Sequence, residues 1–301
     1  MRIGYCCINR TLGCRGNRTF RLGNYSQKRL IETVDGNLAC LQQMLEFNAA
    51  HGIRFFRITS DLVPFASHPV MDTDWQGQFR DRLKEIGHYI LENGMRVNMH
   101  PGQYTLINSP SEKVFENSHK ELLYHAQVLD LLGLDLTCKI QIHVGGEYGD
   151  KDASIGRFAQ RFHGLDRAVR RRLVVENDHV NYSIEDCLRV HALCAIPIVY
   201  DTLHQEALRG RMDPKKALEM VEPTWKEQDG IPFIDYSQQK LGARTGLHSE
   251  SIEPDDFRKF LAETRPVDFD VMLEIKDKEI SAVKAVDIAR TDPRFQHPVE
   301  K

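Results

Sequence analysis

The chain has 301 residues, 41% hydrophobic and 28% charged, enough to bury a sizeable core without covalent staples. Forty Lys plus Arg stand against 43 Asp plus Glu, a formal net charge of −3. No bulk positive field therefore favours a polyanionic partner, and any nucleic-acid binding must rest on local charge. The longest apolar run, residues 194–200, contains Pro197 and is far short of the roughly 20 residues that span a bilayer, which excludes a transmembrane helix and a membrane partner. The opening MRIGYCCINR lacks the apolar core and small-residue cleavage site of a signal peptide, so a cytoplasmic protein is expected. The cysteines (Cys6, Cys7, Cys14, Cys40, Cys138, Cys187 and Cys194) are odd in number without C-x-x-C spacing and read as reduced thiols.

In chain order, a β-branched run at residues 2–8 precedes a long amphipathic stretch at 27–50. A strand at 54–59 is followed by a helix at 77–92, a strand at 96–100 by a helix at 112–132, and strands at 139–143 and 173–176 by a helix at 183–193. A strand at 198–201 leads to a helix at 214–221, a strand at 233–236 to a helix at 254–262, and a last strand lies at 269–274. Several helices open on Ser, Asp or Pro at cap or first-turn positions. Eight strands at roughly even spacing predict an α/β fold, a single (β/α)₈ TIM barrel over residues 1–301 with a loosely packed tail at 286–301. A doubly wound sheet alternates similarly, but no Gly-x-Gly-x-x-Gly follows the first strand and no phosphate-loop lysine is present.

Barrel enzymes build their sites at the carboxyl ends of the strands. Here the third strand closes on His100, the fourth on His143, the fifth on Glu176, the sixth on Asp201, the seventh has Asp235 and the eighth Glu274, with His204 and His248 in the following loops. Aiming four carboxylates at one volume is unfavourable unless cations neutralise them or some stay protonated. Mixed imidazole and carboxylate donors without thiolate suit zinc or manganese, and eight ligands exceed what one ion takes. More than one divalent ion is therefore expected. Asp201 has a second reading as the cap of the next helix. His51, His88, His119, His125, His163, His179, His191 and His297 lie on predicted helices, helix ends or the tail and read as structural.

Basic residues are unevenly spread. From Met1 to Ile31 the chain carries Arg2, Arg10, Arg15, Arg18, Arg21, Lys28 and Arg29 and no acidic residue, a segment that follows the first strand into its active-face loop and suits phosphate contacts. The run Arg167, Arg170, Arg171 and Arg172 precedes the fifth strand and belongs to the opposite, stability face.

The segments Asn98-Met99-His100-Pro101-Gly102-Gln103-Tyr104, Pro64-Phe65-Ala66-Ser67-His68-Pro69, Val175-Glu176-Asn177-Asp178 and Asp201-Thr202-Leu203-His204 together resemble the UV damage endonuclease family, itself similar to endonuclease IV and the xylose-isomerase-like barrels. The similarity runs from Gly4-Tyr5 to Glu274-Ile275-Lys276, about nine-tenths of the chain. It implies a metal-dependent endodeoxyribonuclease that hydrolyses the phosphodiester immediately 5′ to cyclobutane pyrimidine dimers and 6-4 photoproducts. The resemblance also implies two to three divalent ions, manganese first with zinc or magnesium also fitting, and a duplex DNA partner carrying UV lesions; three ions would turn the formal charge of −3 into about +3, and the chain is expected to be a monomer. By resemblance His100, His143, Glu176, Asp201, His204, His248 and Glu274 align with metal ligands, Glu176 and Glu274 bridge, and His68 stands near the scissile phosphate. Where the family pattern reads Lys-x-His this chain has Phe233, Ile234 and Asp235; Asp235 is still a metal-ligand type, whereas Phe233 cannot replace the lysine.

On that reading His68, Glu176 and Glu274 are catalytic. Ions on His100, His143, Glu176, Asp201, Asp235 and Glu274 would activate water, and an ion on His204 and His248 would bind the phosphate. Gln103 and Tyr104 would act as a wedge where damaged bases leave the stack, against the reading that Tyr104 packs under its loop and Gln103 caps a turn. Tyr5 and Asn9 match positions near the lesion, though Tyr5 also suits barrel filling, and Arg10, Arg15 and Arg18 would contact the backbone. The alternatives are an endonuclease IV-like enzyme for abasic sites, a sugar isomerase of the same barrel class, and a non-catalytic damage-binding protein with structural metals.

Overall fold

A computed structural model describes residues 1–296. Eight parallel strands close into a barrel in sequential order: β1 (Ile3–Cys6), β2 (Phe55–Ile58), β3 (Arg96–Met99), β4 (Lys139–His143), β5 (Leu173–Glu176), β6 (Ile198–Asp201), β7 (Phe233–Tyr236) and β8 (Asp270–Leu273). These are the eight predicted strands, trimmed by a residue or two where the chain bends into loops. Around them lie α1 (Gln27–Ala50), α2 (Trp75–Glu92), α3 (Glu112–Leu131), α4 (Lys151–Gly164), α5 (Arg167–Arg170), α6 (Ile184–Cys194), α7 (Thr202–Arg209), α8 (Pro214–Val221), α9 (Pro254–Glu263) and α10 (Glu279–Ala289). The helix starts follow cap chemistry: Ser26, Asp74, Ser111, Asp150 and Ser183 each accept a hydrogen bond from a first-turn backbone N–H. Among the described residues no helix is long and apolar enough to cross a membrane.

Side chains alternate along each strand. One set, including Tyr5, Phe56, Ile58, Val97, Met99, Ile140, Ile142, Val175, Ile198, Ile234, Val271 and Leu273, packs under the helices in the main core. The other set points into the lumen, where Phe55, Val174, Val199, Phe233 and Met272 join Cys6 and Trp225 in a separate apolar cluster. Toward the amino ends of the strands the lumen is closed by ion pairs, Arg96 to Asp270 at 3.0 Å, Arg2 to Asp270 at 3.2 Å, and Lys139 to Asp229. The apolar plug thus forms the floor of whatever the carboxyl ends build.

Two expectations need correction. Cys14 and Cys40 form a disulfide, because the loop after β1 folds back along α1, with Gly16 against Met44 and Asn37 bonded to both the N–H and the carbonyl of Arg18; the other five cysteines are free thiols. The segment after Ala285 is not loose through residue 296: Val286, Ala289 and Phe295 are buried and the Gln296 N–H donates to the Met1 carbonyl. The expectation for 297–301, and that for His297, lie outside the described residues. Arg172 is structural, as its place at the amino end of β5 predicts: buried, it donates to Asp130 and to the carbonyls of Leu134, Asp135 and Cys138.

Candidate metal centre at the strand ends

Glu176, the last residue of β5, is the hub. Its Oε1 lies 2.9 Å from His143 Nε2, 3.7 Å from His100 Nε2 and 3.8 Å from His204 Nδ1. His143 sits directly beside it because β4 and β5 pair in a register that matches these two residues. Glu176 Oε2 and His143 Nδ1 are buried without a hydrogen-bond partner. Asp201 takes its second reading, the helix cap: Oδ1 accepts from the His204 N–H at 2.7 Å at the start of α7, while Oδ2 has no hydrogen-bond partner and lies 3.3 Å from His204 Nδ1.

Three histidines are oriented alike. His100 Nδ1 donates to the Pro101 carbonyl at 2.8 Å, His204 Nδ1 to the Asn177 carbonyl at 3.2 Å, and His248 Nδ1 to the Glu274 carbonyl. Such bonds fix the tautomer and leave Nε2 as the nitrogen free to ligate. The loop carrying His248 is held by its bridge to Gln239. Asn177 clamps the β5 and β6 ends, donating to the Asp201 carbonyl at 3.0 Å and accepting from the Asp201 N–H at 2.9 Å. Donor atoms of His100, His143 and Glu176 lie within 4.8 Å of one another, as do those of Asp201, Asp235 and Glu274. Orphaned buried carboxylate oxygens next to imidazoles with a preset Nε2 fit divalent ions.

Sequence reasoning missed Arg57 altogether. From β2 it reaches the centre of the site, where Nη2 donates at 2.8 Å to both Asp235 Oδ1 and Gln141 Oε1, and Nη1 pairs with Glu274. Gln141 in turn donates to Asp235 Oδ2. A basic residue in an otherwise apolar strand, Phe55-Phe56-Arg57-Ile58, was the available signal. His179, read as structural, has its ring 5.0 Å from that of His204 and so borders the site.

The electrostatics follow. Burial works against the Glu176 carboxylate, but His143 and His100 more than offset it and hold it well below the usual range. Burial would lower His143, yet Glu176 draws it up to about 9. Burial raises Asp201 to about 6, only partly countered by His204. Glu274 resists burial through Arg57 and falls to about 2. Burial and the neighbouring carboxylates push Asp235 up although Arg57 pulls the other way; since both its oxygens accept hydrogen bonds, the geometry is that of the ionised form.

The other predicted residues separate. Gln103 and Tyr104 stand on the loop after β3, Gln103 exposed and Tyr104 81% exposed, so Tyr104 does not pack under its loop. Arg10, Arg15 and Arg18 are exposed on the loop after β1. Tyr5 is corrected: it faces the helices, fully buried with its ring against Phe56, and contacts no solvent. Asn9 is buried too, donating to the Tyr5 hydroxyl and accepting from the Thr11 and Leu12 N–H groups, a turn-forming role. His68 is exposed and its Nδ1 accepts from the Val70 N–H within its own turn, apart from the ligand groups around Glu176.

Comparison with known proteins places this geometry. The family model described as UV-endonuclease UvdE matches residues 1–292. A UV DNA damage endonuclease of Clostridium perfringens (strain 13 / Type A) is 40% identical over 288 residues, covering 95% of this chain and 70% of that protein. The crystal structure of SacUVDE superposes with a TM-score of 0.92 at 42% identity, covering 96% of this chain and 98% of that one. Endonuclease IV from Thermus thermophilus shares the fold, with a TM-score of 0.58 at 16% identity over 83% of this chain and 93% of its own.

Proposed function

The chain belongs to the UV-endonuclease UvdE family, and from that premise we propose that it is a metal-dependent DNA repair endonuclease that cuts the phosphodiester immediately 5′ to cyclobutane pyrimidine dimers and 6-4 photoproducts. The observation that carries the reading is the pair of buried carboxylate oxygens, Glu176 Oε2 and Asp201 Oδ2, left without a hydrogen bond among histidines whose Nδ1 is bonded to a carbonyl so that Nε2 is free to ligate.

His100, His143 and Glu176 would hold one divalent ion, Asp201 and Glu274 with Glu176 a second, and His204 with His248 a third. Bound there, manganese or a similar ion supplies charge neutralisation for the phosphoryl and leaving oxygens and lowers the pKa of water. The chain does the rest. Glu176 must give up the His143 proton contact to ligate, Asp201 must be ionised, and the apolar floor of Phe55, Val174, Val199, Phe233 and Met272 keeps bulk water from beneath the cluster, so that its charges act in a low dielectric.

Duplex DNA would lie across the rim with its backbone on the Arg10, Arg15 and Arg18 loop. Tyr104 and Gln103, projecting from the same end of the barrel, would wedge where a lesion has already weakened stacking, which selects damage without reading sequence. His68 is retained as a phosphate contact reached from its exposed turn.

The test is to incubate UV-irradiated, abasic and undamaged supercoiled plasmids with the protein, with manganese and with chelator. Manganese-dependent nicking of irradiated plasmid, with 5′ ends mapped to the lesion, is expected; nicking of abasic plasmid alone favours the endonuclease IV-like alternative and overturns this reading.

A further inference from the structure

The four lumen carboxylates are not equivalent. Glu176 and Asp201 each present a buried oxygen without a hydrogen bond, that of Asp201 lying 3.3 Å from His204 Nδ1. Asp235 presents none: Oδ1 accepts from Arg57 Nη2 at 2.8 Å and Oδ2 accepts from Gln141 Nε2. Gln141 is itself fixed, since its Oε1 accepts from Arg57 Nη2 at 2.8 Å and from Asn98 Nδ2 at 3.3 Å. Asp235 and Arg57 are 0% and 3% exposed, so neither can exchange its partner for water.

We propose, building on the metal reading above, that Arg57 is a resident counter-ion of this centre: it keeps Asp235 out of the metal coordination sphere and positions Glu274 as a ligand. Asp235 then serves Arg57 rather than an ion. Both oxygens of this carboxylate already carry a hydrogen bond, and drawing it onto a metal would weaken its pairing with the buried guanidinium, which is costly in a low dielectric. The planar fork of arginine is what allows one cation to reach two carboxylates and an amide at once; lysine, a point charge, cannot. Arg57 Nη1 engages Glu274 Oε1, while Glu274 Oε2 is the oxygen turned toward His248, 4.0 Å from its Nδ1. The pairing therefore decides which Glu274 oxygen is offered to an ion.

The experiment compares the purified full chain with Asp235→Asn, Asp201→Asn, Arg57→Met and Arg57→Lys, each confirmed folded by circular dichroism. Bound manganese is counted per chain by atomic emission after equilibrium dialysis, and melting temperature is recorded with manganese and with chelator. Asp235→Asn is expected to hold as many ions per chain as wild type, whereas Asp201→Asn loses at least one. In chelator, Arg57→Met melts below wild type and Arg57→Lys recovers part of that loss; on adding manganese, Arg57→Met gains more in melting temperature than wild type, because two carboxylates have been released to the ion. Loss of an ion in Asp235→Asn overturns this proposal and leaves the metal reading standing. A wild-type chain that binds no manganese overturns both. Should Arg57→Met fail to fold, the ion count of Asp235→Asn still decides.

Discussion

His143 Nε2 lies 2.9 Å from Glu176 Oε1, at the matched ends of two neighbouring strands. The contact raises the His143 pKa from 6.5 to about 9, so at neutral pH the pair is an internal salt bridge occupying the atoms an ion needs. A divalent ion held there would have to displace that proton. Metal affinity should therefore rise with pH up to about 9, and binding near pH 7 should release protons, visible as a binding enthalpy that changes with the ionisation enthalpy of the buffer. A buffer-independent enthalpy would contradict the pairing.

The same shift bears on the metal-free fold. A histidine whose pKa is higher in the folded than in the unfolded chain stabilises the fold fully below the unfolded value of 6.5 and loses that contribution as pH rises through about 9. Chelator-treated protein should thus lose urea resistance between these values, and His143→Gln should flatten that part of the profile.

Glu176 touches three histidines and has an unpartnered oxygen. Glu176→Gln keeps the shape and removes the charge. Nicking of irradiated plasmid should fall by roughly a hundredfold or more, since even partners one step removed from a metal cost 10–100-fold, while the circular dichroism spectrum is retained. Full activity in a folded variant would refute the assignment.

Tyr104 is 81% exposed on the loop that follows His100. Removing a stacking ring costs about 1–3 kcal/mol per base, so Tyr104→Ala should lower affinity for an irradiated duplex by about tenfold or more while binding to undamaged duplex stays unchanged. Equal losses on both duplexes would show a backbone contact instead.

Arg15 and Arg18 extend from the loop after β1. Each is expected to neutralise one phosphate, so Arg15→Ala and Arg18→Ala should each reduce the slope of log affinity against log salt by about one, without changing preference among sequences. An unchanged slope would place the DNA elsewhere.

Much of this protein was legible in one dimension. Alternating β-branched runs and capped helices define eight βα units, and closing them into a barrel forces the last residue of each strand toward one rim; His100, His143, Glu176, Asp201 and Glu274 could be named because ligand types recur at those ends. Local patterning could not say which face a strand residue takes when both faces are buried, and so Tyr5 points to the helices rather than to the rim. Nor could it say that a loop folds back to join Cys14 to Cys40.

Arg57 marks the boundary most clearly. Its partners Asp235 and Glu274 lie 178 and 217 residues away, and only barrel closure brings β2 across the lumen from β7 and β8. Residue types at strand ends follow from local periodicity and so belong to the sequence alone. How the buried charges pair, which oxygens stay open and which carboxylate is held by a guanidinium depend on distances across the barrel, and those exist only once the chain has folded.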